Sequence, residues 1–436
     1  MKKIFVFIIL FSSYSFSKGQ TWFPIGQGLT YPIIALDTLG GELYAGGDYF
    51  CDTADFSLCS GLLMGWKSKS WDTVVTYDPT NIIAMANYNG DIYMGENNNS
   101  PGIIKWNGTK VSTPGNGING YVSALTTYNG ALYAGGQFTT AGSVPVNNIA
   151  QWNGTVWDSV SSGIKGTAYI YALTVYNGNL IAGGEFISAG GIPAKNIAQW
   201  NGSSWDSIGG GINGIVNALI VYNGNLYVGG TFDTAGRHPA KNIALWNGTA
   251  WNAVGSGVNG TVNTFTIYNG NLIAGGAFDS AGSMPANLVA QWNNTQWDSI
   301  GSGLTGNEVL SLTVYNGFIA AGGSISAGKH TDVQVAGWCN SCSADAVNEI
   351  SNQVSVNLFP NPNKGVFTIL SSANSLSTTV EIYNMIGEKV YALENKPSAT
   401  KSEISINITN QPLGVYLYRI VAENNNLIST GKFIIQ

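Results

Sequence analysis

The chain has 436 residues, of which 44% are hydrophobic and only 10% charged, against about 25% charged in an ordinary soluble protein. Abundant glycine (57 residues) and sparse charge point to many short strands joined by tight turns. The net charge of -6 leaves no electrostatic footprint for nucleic acid, and that class of partner is excluded.

The first segment reads MKKIFVFIILFSSYSFSKGQ. Lys2 and Lys3 precede a short apolar run, Ile4 to Phe11, and Ser15-Phe16-Ser17 offers a small-x-small cleavage signature. The run falls far short of the ~20 residues a spanning helix needs. Residues 1–19 are therefore expected to be a cleaved signal peptide, and no later segment is expected to cross a bilayer as a helix. An exported chain meets an oxidising compartment, so its four cysteines, Cys51, Cys59, Cys339 and Cys342, are expected to form disulfides. Four cysteines allow three pairings, of which the local pairs Cys51–Cys59 and Cys339–Cys342 are the simplest. A zinc site at Cys339-Asn-Ser-Cys342 would need a second metal-spaced pair, which the chain lacks.

From Leu43 onward one unit recurs. LYAGG at Leu43 and Leu132, LIAGG at Leu180 and Leu272, LYVGG at Leu226, IYMGE at Ile92 and IAAGG at Ile319 make seven copies. Tyr-Asn-Gly precedes six of them, and the step from Tyr222 to Tyr268 is 46 residues. A period of roughly 40–50 residues built of short strands predicts a β-propeller with one four-stranded sheet per repeat. In the copy near Ile215 the first strand ends at Tyr222 and an Asn-Gly turn leads to NLYVGGTF. A longer loop, DTAGRHPAK, leads to NIALW, a second Asn-Gly turn and WNAVGSG.

Tryptophan tests the scheme. Trp66, Trp106, Trp152, Trp200, Trp246, Trp292 and Trp338 fall on third strands, and Trp71, Trp157, Trp205, Trp251, Trp297 and Trp22 on fourth strands. Together they are all 13 tryptophans; Val111 fills the one empty register. Recurrence in nearly every copy marks them as sheet-packing residues. Trp22 stands in a fourth strand that precedes any first strand, while the last repeat lacks a fourth. The N-terminal strand is thus expected to complete the seventh blade and close the ring, removing exposed sheet edges.

The pattern LYVGG.F..AG....NIA.WNG..W resembles the kelch-like propeller repeats of bacterial surface proteins, and especially the cortical-marker-of-cell-polarity family. That resemblance implies a fold and transfers no catalytic residue. After a polar linker at residues 341–353, residues 354–436 alternate as a second, Ig-like β-sandwich. This segment resembles the type A C-terminal sorting domain of the type IX secretion system of Bacteroidota. The matching residues are Pro360, Asn361, Pro362 and Gly365, Gly387 after Ile382-Tyr383-Asn384, Gly414 and Tyr416 in LGVY, and a tail from Lys432. The resemblance implies export across both membranes, with the secretion machinery as partner, to the medium or the cell surface.

The second–third and fourth–first loops of residues 20–340 are long and differ between copies, so binding groups are expected there. The basic residues Lys195, Arg237, His238, Lys241, Lys329 and His330 are the candidate contacts to a glycan or protein ligand. His238 and His330 share a register two blades apart, roughly 20 Å by sheet spacing of ~10 Å, too far for one metal ion. Asp72, Asp158, Asp206 and Asp298 follow a tryptophan in every case and look structural. Paired glycosidase acids, a Ser-His-Asp set and a phosphate-cradling loop are not recognisable, so the expectation is a non-catalytic binding or adhesion protein without cofactor. Asn-Gly-Thr/Ser at Asn107, Asn153, Asn201 and Asn247 is read as hairpin chemistry, not glycosylation. Asp-Ser/Thr-aliphatic triplets, as at Asp206, resemble the O-glycosylation motif of Bacteroidota.

Overall fold

The computed structural model describes residues 22–339 and 356–435, except 27–28, 30–31, 48–49, 53–54, 68–69, 78–80, 98–100, 167, 328–332, 360–363, 372–377, 385–388, 396–401 and 423–426. The chain divides into two compact units, residues 1–344 and 345–436. Both are all-β among the described residues, apart from one 3-10 turn at Pro114–Asn116.

Among its described residues the first unit holds four two-stranded hairpins and seven large antiparallel sheets, six of four strands and one of five. The fifth is representative: Ile215–Tyr222, Asn225–Thr231, Ile243–Trp246 and Trp251–Ala253, paired in that order. The first–second turn is Asn223-Gly224, with φ of 48° and 75°, and it joins the paired residues Tyr222 and Asn225. Both central residues are left-handed, as a two-residue hairpin requires. The third–fourth connection departs from the expected Asn-Gly turn. Trp246 pairs with Trp251, so the loop has four residues, Asn247 to Ala250. Asn247 Oδ1 accepts from the backbone N–H of Thr249 and Ala250 and from the Thr249 hydroxyl. Asn107, Asn153 and Asn201 do the same, so Asn-Gly-Thr/Ser here is the signature of an Asx turn.

Four of the expected long loops are ordered hairpins. In the fifth sheet Thr234–Ala235 pairs with His238–Pro239, and buried Ala235 bridges to Ile212 in the incoming fourth–first loop. The two long connections of one sheet therefore lie on one face. In the first sheet Phe50–Asp52 adds a further strand, paired to Asp55–Lys67.

The double glycine has two separate causes. A Cβ on Gly229 would lie 2.5 Å from Val262 Cγ1 of the next sheet, so the sheets pack too closely for a side chain. A Cβ on Gly230 would lie 2.0 Å from Ile215 O. That crowding arises because the pairing skips Asn217 between Val216 and Ala218, a β-bulge in the first strand. All seven first strands skip a residue at the matching place.

Hydrogen bonds between sheets repeat as well. The indole N–H groups of Trp71, Trp157, Trp205 and Trp297 donate to Ile25, Pro114, Val160 and Val254 carbonyls of the preceding sheet. On the turn face Tyr88, Tyr128, Tyr222 and Tyr268 hydroxyls donate to the turn glycine of the following sheet. Asn148, Asn196 and Asn242, all at φ 61°, join their own sheet to the next. Each accepts from the N–H of the Phe that follows the second strand and donates to the carbonyl of Ile164, Ile212 or Val258.

The N-terminal strand pairs as expected. Phe23 and Pro24 stand opposite Gly337 and Ala336, and the Trp22 and Trp338 rings lie 6.5 Å apart. The Trp22 indole donates to Ile300 O of the sixth sheet, and Trp71 of the first sheet donates to Ile25 O. First strands contact one another in cyclic order: Ile33–Leu39, Ile82–Tyr88, Tyr121–Tyr128, Tyr169–Tyr176, Ile215–Tyr222, Thr261–Tyr268, Thr305–Tyr315 and back to Ile33–Leu39.

The second unit has a three-stranded and a four-stranded antiparallel sheet that share one core, including Phe367, Ile382, Ile406, Tyr416 and Phe433. Gly365 (φ 82°) turns the chain where a Cβ would lie 2.7 Å from Thr409 Cα, and its carbonyl accepts from Ile408 N–H. Tyr416 is buried against Phe433 and its hydroxyl donates to Pro412 O. Gly414 opens that strand and Lys432 pairs with Leu417, while Pro360, Asn361, Pro362 and Gly387 lie outside the described residues. The described motif residues are thus fold-forming positions.

Candidate functional site

The seven first strands surround a cavity of about 250 Å³, to which each contributes three consecutive residues. The residue each bulge releases lines it. Four are polar and consecutive around the cycle: Ser123, Tyr171, Asn217 and Asn263. Three are aliphatic and also consecutive: Leu310, Ile34 and Ile83. Asn217 is the third residue of Ile215–Tyr222, so the bulged ring lies nearer the long-connection face than the Asn-Gly face.

The polar arc is hydrogen-bonded across sheets. Ser123 Oγ donates to Ile170 O at 2.6 Å. Asn217 Nδ2 donates to Asn263 Oδ1 at 3.4 Å, and Asn263 Nδ2 to Glu308 Oε2 at 2.9 Å and Val309 O at 3.1 Å. Tyr171 stacks on Tyr169, ring centroids 5.8 Å apart and planes 7° from parallel. Burial, then the nearby Glu185 and Tyr169, pushes the Tyr171 hydroxyl above the usual phenol range, so it remains a proton donor. The arrangement offers neutral donors and acceptors on one side and aliphatic wall on the other.

A second pocket, of about 290 Å³, lies on the turn face between Asn87–Asn89 and Thr127–Gly130. Its residues are the recurrent Tyr-Asn-Gly turns, and its Tyr88 hydroxyl is already committed to Gly130 O. Its one residue particular to this repeat, Asn87, is committed through Nδ2 to Thr38 O.

The basic candidates are dispersed. Arg237 and His238 are exposed on the fifth-sheet hairpin. Lys195 and Lys241 are exposed at one register of the fourth and fifth sheets, where their carbonyls accept from Ile212 and Val258 N–H. Lys329 and His330 lie outside the described residues. Cys51 and Cys59 are direct partners in the first-sheet ladder, though their side chains, and Cys342, lie outside what is described. Cys339 is buried and is not a free thiol. Among the described residues no three His, Cys, Asp or Glu cluster as metal ligands, and no helix is long and apolar enough to span a membrane.

The cavity column escaped the sequence reading because the first strands looked like one alternating pattern. Two signals were present. The double glycine marks the bulge, and the residue two before the recurrent Leu/Met/Phe varies as Ile, Ile, Ser, Tyr, Asn, Asn, Leu.

Among curated proteins, none matches the chain. Among solved structures it is similar to a protein described as the extracellular domain of a hybrid two component system, BT4673, from B. thetaiotaomicron. Identity is 12% and the TM-score 0.53, over 86% of this chain and 47% of that one. This chain spans about half that protein's length, and likeness at such identity is one of fold. It is also similar to the computationally designed Ika8 protein (12% identity, TM-score 0.46, 73% of this chain, 99% of that one). A fungal alcohol oxidase of the AA5 family in complex with copper is similar at 11% identity and TM-score 0.45, over 96% and 100% of the chains. At the level of family, residues 357–436 match the secretion system C-terminal sorting domain, and the second unit belongs to that family.

Proposed function

We propose that residues 20–340 form a seven-bladed, kelch-like propeller acting as a non-catalytic binding or adhesion module, with glycan or protein bound on the long-connection face. The C-terminal sorting domain supports export through the type IX system to the medium or cell surface. The observation that carries the reading is the cyclic order of the seven first strands around one cavity. It is supported by the pairing of Phe23–Pro24 with Val335–Trp338, which joins the two ends of the module. The hairpins of the long-connection face form a rigid platform, as a recognition surface requires. Local disulfides Cys51–Cys59 and Cys339–Cys342 belong to the same proposal. Directly paired antiparallel residues sit ~4.5–5.5 Å apart at Cα, within disulfide range.

The test is a glycan array with the purified chain, followed by reducing-sugar release on every hit. Binding without release is expected. Release would make the protein a polysaccharide-active enzyme, and absence of any binding would leave a structural surface-layer component. Export is tested separately: deletion of residues 357–436 should trap the chain inside cells that secrete the intact protein.

A further inference from the structure

We infer that the polar arc of the central cavity binds one neutral sugar ring, resting on the binding-module reading above. The bulge is a costly irregularity repeated in every first strand, and it turns one side chain per sheet toward a common centre. Among the positions that line the cavity, the middle repeats vary most in this column, which reads Ser123, Tyr171, Asn217 and Asn263; the two beside it read Ala, Ala, Ala, Thr and Leu, Leu, Leu, Phe. A purely structural column would carry one residue type, as the recurrent Ala beside it nearly does.

The chemistry selects the ligand class. The Asn217 amide, whose Nδ2 donates to Asn263, leaves its Oδ1 as an acceptor, and Tyr171 supplies a hydroxyl donor. Mixed donors and acceptors on adjacent sheets suit vicinal hydroxyls. The facing Ile34, Ile83 and Leu310 suit the C–H face of a pyranose, and Tyr171, braced by its stacking on Tyr169, adds an aromatic ring. Among the lining residues there is no Lys, Arg or His to hold an anion. The volume of about 250 Å³ lies below the ~300–1,000 Å³ of drug-sized pockets, which limits the occupant to one ring.

The experiment is titration calorimetry of the full chain with glucose, galactose, mannose and N-acetylglucosamine, each also as a methyl glycoside. At least one should bind saturably. Asn263→Ala should weaken it by about tenfold or more, and Tyr171→Phe, which keeps the ring, by about threefold to tenfold. Lys110→Ala, an exposed residue of a third–fourth loop away from the cavity, should leave it unchanged. Thermal melts check folding, and Tyr171→Phe decides should Asn263→Ala unfold. No binding by any of these sugars overturns the inference, as does binding that survives Tyr171→Phe and Asn263→Ala. If the glycan array still scores hits in that case, the binding module stands and only its site has been misplaced. If the array is also blank, both fall.

Discussion

The four middle sheets and the three that flank the closure differ in opposite ways at the periphery and at the centre. In the middle sheets the Trp152–Trp157, Trp200–Trp205, Trp246–Trp251 and Trp292–Trp297 pairs all lie 5.2–5.6 Å apart, as Trp66–Trp71 of the first sheet does, while Trp22–Trp338 of the seventh opens to 6.5 Å. The second sheet departs: Val111 faces Trp106, and an ion pair of Lys105 with Asp91 at 2.6 Å stands where the fourth and sixth sheets have Asn–Gln pairs. At the cavity the order reverses. The irregular sheets share an aliphatic residue there, and the uniform sheets carry four polar residues of three types. Repetition therefore maintains the scaffold, and variation falls on the long loops and, inside the ring, on the column that faces the shared space.

The scaffold side of this contrast breaks hardest at the closure. Trp22→Ala removes a buried indole, its bond to Ile300 O and its packing on Trp338, and should cost ~3–5 kcal/mol. Trp297→Ala removes an equivalent indole and its bond to Val254 O, but leaves the ends joined. Urea midpoints should fall similarly for both. Only Trp22→Ala should also gain mass by light scattering, because loosening the N-terminal strand bares the edge of Val335–Trp338. Equal aggregation by the two variants would mean that the N-terminal strand has no special role.

The two kinds of glycine sharpen the same point. Gly230→Ala puts a methyl 2.0 Å from a backbone carbonyl and should destabilise by ~1–3 kcal/mol or more. Gly224→Ala, at φ 75° with open space around it, carries only the left-handed strain of ~1–2 kcal/mol. Asn242→Ala comes next at ~1–3 kcal/mol, since it unties Phe232 N–H from Val258 O, while exposed Lys241→Ala should stay within ~0.5 kcal/mol.

These differences also explain what was legible beforehand. Sheet number, tryptophan placement and the role of Trp22 could be read because each depends on spacing and on side chains too large to sit elsewhere. The Asx loops were misjudged because Asn-Gly is the same dipeptide in a two-residue turn and in a four-residue loop; only the Thr or Ser that follows separates them. Asn242 was assigned to a strand because its left-handed φ is set by the neighbouring sheet, a contact invisible in a local pattern. The basic loop residues drew notice as rare types. The cavity residues are common types whose meaning comes from convergence of seven distant strands.

Two carboxylates, one in each unit, provide the finest contrast, because their responses to pH have opposite sign. Glu381 accepts from Lys389 at 2.8 Å, from Arg419 and from the Tyr383 hydroxyl, and the Lys389 and Arg419 bonds hold it down at about 2. The native second unit therefore prefers the ionised form. Its contribution is full above the ordinary value of 4.5 and is lost as pH falls toward 2. Asp37 is raised by burial to about 6 from 3.8, against the opposing Thr38 N–H bond. Its native state binds the extra proton, so the first unit loses stability as pH rises between those two values, by ~1 kcal/mol after allowance for partial solvent screening. Denaturation of the two units followed separately should show the second gaining stability as pH rises from 2 to 4.5, while the first loses it as pH rises from 4 to 6. Asp37→Asn should flatten only the latter slope and Glu381→Gln only the former. A single slope shared by both units, or one untouched by its own variant, would mean that these carboxylates do not set the pH response.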